Sequence, residues 1–339
     1  MPAEPAVTII VPTLNEEKYI RKAIHSLIPA DDEVDYELIV MDGGSVDRTA
    51  SIIKQMAVLN PRIRLEENPA GYQSAGVNRG AMIAKAESGI IIRADSHAEY
   101  PPCFVARLVR ELRERGVASV VVPMRTRGEG FLQRGIAAAQ NGRLGNGGAL
   151  HRTANSSRYV EHGHHAAFDR KMFLAIGGYD ESFTHNEDAE LDIRLTKSGA
   201  RIWLCSELAI VYIPRSSLGA LARQYFNHGS GRARTLIKHR RRPKIRQLLP
   251  LGALGLNVLS LAAGLTLGWP FFLPSLAYVG ACLFGGMSLA VLERDPAGCA
   301  AGPAAMVMHQ SWAAGFSYRA FRVVVAEAPP TPGSREALY

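Results

Sequence analysis

Several common signatures are missing from this sequence. No Gly-x-Gly-x-x-Gly follows the first apolar run, so a dinucleotide fingerprint is absent. No Gly-x-x-x-x-Gly-Lys-Ser/Thr occurs either, and a P-loop has no support. Cysteine is scarce. Cys103, Cys205, Cys282 and Cys299 are scattered and form no Cys-x-x-Cys, which reads as reduced structural thiols in a reducing compartment. Residues 6–12 are too short an apolar run, without a basic flank, to serve as a cleavable signal peptide. Acid is missing from Arg232 to Arg246, and charge of either sign is missing from Leu248 to Leu292.

Those last two gaps are informative together. The chain has 339 residues and a net charge of +8, and residues 232–246 alone carry eight Lys and Arg. The remainder is therefore close to balanced. A basic run fits nucleic acid or an anionic membrane surface, where each basic residue is worth about 1 kcal/mol. The uncharged stretch that follows favours the membrane, and no nucleic-acid partner is expected. Trp269-Pro270 divides that stretch into 248–269 and 270–292, each about long enough to cross a bilayer core. The basic run before the first span places the N-terminal part at the cytoplasmic face of the inner membrane. A third uncharged piece, 296–318, is Ala/Gly-rich and reads as a third span or as a re-entrant or interfacial segment. The expected organisation is a soluble domain over 1–231, a basic juxtamembrane segment over 232–247, membrane helices over 248–322 and a tail over 323–339.

The first 100 residues alternate strand and helix patterns. Residues 7–12 and 36–42 read as buried strands of the parallel type, 63–66 as a short third and 90–93 as a fourth. Between the first two, Ile20, Ala23, Ile24, Leu27 and Ile28 recur at helical spacing, and Thr13 or Asn15 is expected to cap that helix. Short connections of this kind give an α/β fold with a right-handed, mostly parallel sheet. Polar clusters follow the strands at Thr13–Glu16, Asp42–Asp47 and Asp95–His97. All three should share the sheet edge where open α/β sheets bind ligands.

Asp95-Ser96-His97 suits a hard divalent cation and a phosphate, although Asp and Ser are also ordinary turn residues. Residues 125–157 are Gly-rich with little periodicity and read as a mobile, substrate-facing loop. His162, His164 and His165 suggest a metal site or an acceptor-pocket role; no clear fourth ligand accompanies them. Glu187-Asp188 opens a helix, where acids favour the dipole or serve as a general base for a hydroxyl. Residues 218–226 read as a helix that gives way to a flexible glycine pair, Gly229 and Gly231, and Arg232 and Arg234 beyond it suit either a pyrophosphate or the membrane surface.

Residues 7–230 resemble the family 2 glycosyltransferases. The likeness is carried by IIVPTLNEE at 9–17, VMDGGSVDRT at 40–49, RADSHAEYPP at 93–102, GGYDESF at 177–183 and EDAELDIRL at 187–195. The resemblance implies a GT-A nucleotide-sugar-binding domain. It implies that Pro12, Thr13, Asn15 and Glu16 border the nucleotide, that Asp42 contacts its uracil and ribose side with Asp47 nearby, and that Arg79 lies near the base or phosphates or on a solvated helix face. Asp95 becomes the metal-binding acid of the DxD motif, with Mg²⁺ or Mn²⁺ as cofactor, and Asp188, beside Glu187, the base. This chain departs from the pattern at Arg93, where members commonly have an acid, so the motif reads Arg93-Ala94-Asp95. His97 is then a candidate second metal ligand, and Arg93 a candidate contact to phosphate or sugar. The Gln-x-x-Arg-Trp motif of processive members is missing, since Tyr225-Phe226-Asn227-His228 follow Gln224.

Two readings follow from the resemblance. The first is an inverting, non-processive transferase of bacterial exopolysaccharide assembly. It would move a sugar, glucose from UDP-glucose, onto a polyprenyl-diphosphate-linked saccharide. The second, motivated by Arg93, is a membrane-tethered binding or scaffold protein without turnover.

Overall fold

The computed structural model describes residues 7–29, 34–85, 88–148 and 156–327, without the side chains of 165 and 324–327. Its described residues fall into two compact units, Met1–Ser217 with Cys282–Ala305, and Leu218–Ala281 with Met306–Tyr339.

The first unit is built on a mixed eight-stranded sheet. Strands β1 (Val7–Thr13), β2 (Tyr36–Asp42), β3 (Ile63–Glu67) and β4 (Ile90–Arg93) run parallel in the order β3-β2-β1-β4. Helices α1 (Ile20–Leu27), α2 (Thr49–Leu59) and α3 (Gln73–Ile83) connect them. Side chains alternate across the sheet as a strand's period of two requires. Val7, Ile9, Val11, Leu38, Val40, Ile90 and Ile92 pack with α1 and α2 on one face. Ile10, Ile39, Met41 and Ile91 pack with Val77 and Ala81 of α3 on the other. Both faces are covered, which is why these strands read as continuous apolar runs.

Beyond the short β5 (Ala98–Glu99), helix α4 (Phe104–Arg115) leads to β6 (Ser119–Val122) and β7 (Met124–Thr126). The stretch expected to be a mobile loop instead carries two helices, α5 (Phe131–Asn141) and α6 (Arg143–Asn146), which occupy most of its described residues. Helix α5 buries Ile136 and Ala137–Ala139 and packs on the turn Pro296–Ala300 at Gly135, where a Cβ would stand 2.5 Å from that of Ala300; Arg134 Nε lies 3.2 Å from Asp295 Oδ2. Gly128, Gly130, Gly135 and Gly142 give the stretch its loop-like composition, yet Gly135 is a position of close packing inside α5. Residues 149–155 of that predicted loop lie outside the described residues.

Strand β8 (Arg158–Val160) and strand β9 (His164–Asp169) follow, then α7 (Arg170–Ala175), α8 (Glu187–Lys197), β10 (Ile202–Leu204) and β11 (Ile210–Tyr212). Strand β9 inserts antiparallel between β4 and β6, and the sheet order is β3-β2-β1-β4-β9-β6-β10-β8. A second sheet has the order β5-β11-β7. The insertion of β9 pairs Ala167–Asp169 with Ile90–Ile92 and so carries His164 past the end of β4 toward Asp95, an adjacency that no local pattern announces.

Helix α9 (Leu218–Lys238) runs straight through Gly229 and Gly231, so the glycine pair is not a flexible joint. Gly229 is a packing position: a Cβ there would stand 1.9 Å from the Trp312 carbonyl oxygen. Two helical segments, Ile245–Leu267 (α10) and Trp269–Leu292, are long and apolar enough to cross a membrane. The second comprises a 3₁₀ turn, Trp269–Phe272, and α11 (Leu273–Leu292). The third apolar piece is the turn Pro296–Ala300 and the first two-thirds of α12 (Ala301–Glu327), which buries Ala304, Ala305, Met308 and Ala313.

Candidate active site

Strand register sets the site. Thr13 stands opposite Asp42, and Ile10 opposite Arg93, so β1, β2 and β4 all end at one edge. Past that edge two loops are sewn together. Asn15 takes a left-handed conformation, φ 55°, donates its backbone N–H to Ser45 Oγ at 2.9 Å and accepts from Val46 N at 2.9 Å. Ser45 Oγ donates in turn to Asp42 Oδ1 at 2.6 Å. Asp47 accepts from Glu17 N and Thr49 N, and Thr49 Oγ1 from Glu16 N. Asn15 makes no cap; α1 is preceded by Tyr19 with no side-chain cap bond. Asn15 and Asp47 therefore hold the loops in shape.

Beside these loops is a cleft of about 160 Å³ bordered by Pro12, Thr13, Glu16, Asp95 and His97, and also by Asn68 and Gln73, which the sequence did not single out. Gln73, at the start of α3, donates Nε2 to Asp95 Oδ1 at 2.8 Å. The Tyr100 hydroxyl bonds the Asp95 backbone. His97 Nδ1 lies 3.0 Å from Glu16 Oε1. Ala94 is buried and donates its N–H to Ile10 O, while Arg79 is on the exposed face of α3.

Next to the cleft, Arg93 gathers the acids. It is 5% exposed. Its Nη1 donates to Asp188 Oδ1 and, at 3.1 Å, to the Tyr179 hydroxyl. Its Nη2 lies 3.6 Å from both Asp95 Oδ1 and Glu187 Oε1. His164 closes the group from β9: Nε2 is 3.4 Å from Asp95 Oδ2, and Nδ1 is 3.8 Å from Asp188 Oδ2. His162 points elsewhere, to Asp192 Oδ2 at 2.6 Å. The His165 side chain lies outside the described residues. Among the described residues no three His, Cys, Asp or Glu side chains converge as a ready metal cage.

The turn before α8 fixes this group. Asn78 of α3 donates to the Tyr179 carbonyl at 2.9 Å and accepts the Tyr179 N–H at 2.8 Å. Gly178 has φ +62°, and a Cβ there would come within 2.3 Å of Asn78 Oδ1. Gly178→Ala is expected to destabilise by about 1–3 kcal/mol, through backbone strain and the displaced Asn78. Gly177, at φ +82° with open space around it, meets only the strain. Thermal unfolding should show a larger loss for Gly178→Ala than for Gly177→Ala.

Burial and charge set the protonation states. Burial opposes the Arg93 charge, but Asp188, Tyr179, Asp95 and Glu187 outweigh it, and the guanidinium stays charged. Burial would raise Asp95, yet His164 and Arg93 hold its carboxyl well below the usual range. For His97, burial favours the neutral ring, and the hydrogen bond to Glu16 and the charge of Asp95 reverse that, so its pKa rises. Glu187 is pushed up to about 7 by burial and then by Asp188, with Arg93 opposing. Glu187 thus binds its proton more tightly folded than unfolded. Its contribution to stability is full below about pH 4.5 and is lost as pH rises through about 7. Glu187→Gln should remove a loss of about 1–3 kcal/mol over that window, measurable as a flatter dependence of Tm on pH.

Comparison with known proteins gives concordant results. The model of the family "Glycosyl transferase family 2" matches residues 8–177. The chain is 44% identical over 308 residues to the succinoglycan biosynthesis protein ExoA of Rhizobium meliloti (strain 1021), covering 91% of this chain and 93% of that protein. It is 23% identical over 302 residues to a dolichyl N-acetyl-α-D-glucosaminyl phosphate 3-β-D-2,3-diacetamido-2,3-dideoxy-β-D-glucuronosyltransferase of Methanococcus voltae, covering 86% and 89%. Among solved structures, the mannosyltransferase PcManGT of Pyrobaculum calidifontis, in complex with GDP-Man and Mn²⁺, superposes with a TM-score of 0.61 at 18% identity. That match covers 93% of this chain and 87% of that one.

Proposed function

This chain belongs to glycosyl transferase family 2 and is a transferase of that class; from that premise we propose an inverting, non-processive enzyme that moves glucose from UDP-glucose onto a polyprenyl-diphosphate-linked saccharide in exopolysaccharide synthesis. The observation that carries this reading is Arg93. One guanidinium contacts Asp95, on the cleft side, and Glu187 and Asp188, at the start of α8. Donor-side and acceptor-side acids thereby meet within one group.

In this reading Pro12, Thr13, Glu16 and Asp42 border the nucleotide, and Arg79 stays on the solvated face of α3. Asp188 takes the proton of the acceptor hydroxyl as that oxygen bonds to the anomeric carbon. The bond from that carbon to the diphosphate breaks on the opposite side, and UDP leaves with the electron pair. One displacement inverts the centre, so an α-linked donor gives a β-linkage. A Mg²⁺ or Mn²⁺ ion, when bound, neutralises the departing diphosphate. The donor set fits such an ion: Asp95 is an ionised carboxylate at the cleft, and three carboxylates face a single guanidinium. The exopolysaccharide role is supported by the likeness to ExoA, a succinoglycan biosynthesis protein; glucose and the lipid-linked acceptor are proposed from the family resemblance.

The two apolar helices suggest membrane association. With the basic run 232–246 preceding the first, the proposed placement is the inner membrane with the catalytic domain at its cytoplasmic face.

The deciding experiment follows UDP release by the full chain in lipid bilayers with a lipid-linked saccharide acceptor. Thermal protection by UDP-glucose, UDP-galactose and GDP-mannose identifies the donor alongside it. Wild type should turn over with UDP-glucose, and Asp95→Asn should not. No release above background by either protein would leave the second reading, a tethered binding protein, in its place, and equal turnover by both would overturn the role given to Asp95.

A further inference from the structure

We propose that His164, from the antiparallel strand β9, is the second protein ligand of the divalent cation, paired with Asp95. The inference rests on the metal-assisted transferase reading and adds a residue to it.

Four observations lead to His164 rather than to the closer sequence neighbour His97. First, the two oxygens of Asp95 are differently used. Oδ1 accepts from Gln73 Nε2 at 2.8 Å and faces Arg93, whereas Oδ2 faces His164 Nε2 at 3.4 Å. Adjacent ligands on an octahedral ion with bonds of roughly 2.1 Å stand about 3 Å apart, close to that spacing. Second, the other nitrogen of His164, Nδ1, faces Asp188 Oδ2 at 3.8 Å. A metal-bound imidazole characteristically directs its remaining N–H to a carboxylate, and Asp188 stands on that side of the ring within ion-pair range, beyond hydrogen-bond distance. Third, the ion pair of His97 is with Glu16, through Nδ1 at 3.0 Å, whereas the imidazole paired with Asp95 among the described residues is that of His164. Fourth, Arg93, two residues before Asp95 on the same strand end, offers no donor to a cation, and a neighbouring strand brings one to that side. β9 pairs directly with β4.

Two protein ligands make a weak cation site alone. Mg²⁺-type ions are commonly held by one or two carboxylates and completed by substrate phosphates and water. The expected behaviour is therefore cation binding that depends on the nucleotide diphosphate. The arrangement also ties the cation to Asp188 through one imidazole ring, so that filling the donor side orients the acceptor-side carboxylate.

The test measures Mn²⁺ binding to the full chain in detergent by electron paramagnetic resonance, with and without UDP and without any acceptor. Pulsed measurements on the bound ion report nitrogen coupling from a coordinated imidazole. Wild type should bind Mn²⁺ at least tenfold more tightly with UDP and should show imidazole nitrogen coupling. His97→Gln should keep that coupling. His164→Gln should lose it and bind Mn²⁺ at least tenfold more weakly, while its Tm stays near that of wild type. Labelling histidine with ¹⁵N in the His97→Gln protein should shift the coupling, which identifies histidine without disturbing residue 164. Coupling that persists in His164→Gln, or that vanishes in His97→Gln, overturns the assignment and leaves the cation reading standing. Bound Mn²⁺ without nitrogen coupling in wild type does the same. No Mn²⁺ binding by wild type with UDP overturns the cation reading and the assignment together.

Discussion

Asp188→Asn should lower kcat by about 10²- to 10⁴-fold, the usual worth of a positioned general base. Asparagine keeps the shape of the side chain and an oxygen toward Arg93, and it accepts no proton at neutral pH. The affinity for UDP should change little, because Asp188 belongs to α8 and does not border the cleft of Thr13, Gln73 and His97. Glu187→Gln is the matched control. Glu187 is already inclined to hold a proton near neutral pH, so its amide should cost far less in kcat. Steady-state UDP release with a lipid-linked acceptor, beside donor protection in thermal unfolding, separates the two effects. Turnover of Asp188→Asn within a few-fold of wild type would sink the assignment of the base.

Arg93→Met should be the most destabilising single change in the site. The guanidinium is buried against Asp188, Tyr179, Asp95 and Glu187. Methionine fills much of the same volume and leaves three clustered carboxylates without their cation. Removing one partner of a buried ion group costs about 3–5 kcal/mol, which for a unit of this size lowers Tm by roughly 6–20 °C. The cost is one of uncompensated charge rather than lost packing. Accordingly, the double variant Arg93→Met with Asp188→Asn should lose less stability than the sum of the single losses. Thermal unfolding at pH 5 and pH 8 checks the sign, since acid pH protonates Glu187 and should shrink the penalty. A strictly additive double variant with no pH dependence would show that Arg93 matters only for its bulk.

The legibility of the site follows sequence distance. Thr13, Asp42 and Asp95 could be placed on one edge from the order of strands and helices alone, and the strand register agrees. Arg93 stood out as a departure from the family pattern, yet its partners could not be read, because Asp188 is 95 residues away and reaches it through α8. Tyr179 was visible only as part of the GGYDESF motif, and Asn78 of α3 carried no signal. Gln73 carried none at all. Helix α5 and the C-terminal part of α9 were misread for one reason: their glycines suggested breaks in the chain, whereas Gly135 and Gly229 are positions of close packing inside helices.

What the sequence determined by itself is whatever rests on neighbours in the chain. That includes the four parallel strands with their apolar faces, the polar breaks after them, the two long uncharged helices and the basic run ahead of them. Only the tertiary structure decided which charges meet. Ion pairs and hydrogen bonds depend on distances of a few ångströms, and an antiparallel strand slipped between β4 and β6 sets His164 against Asp95. That insertion leaves no periodic trace in the chain, so the composition of the site was readable early and its wiring was not.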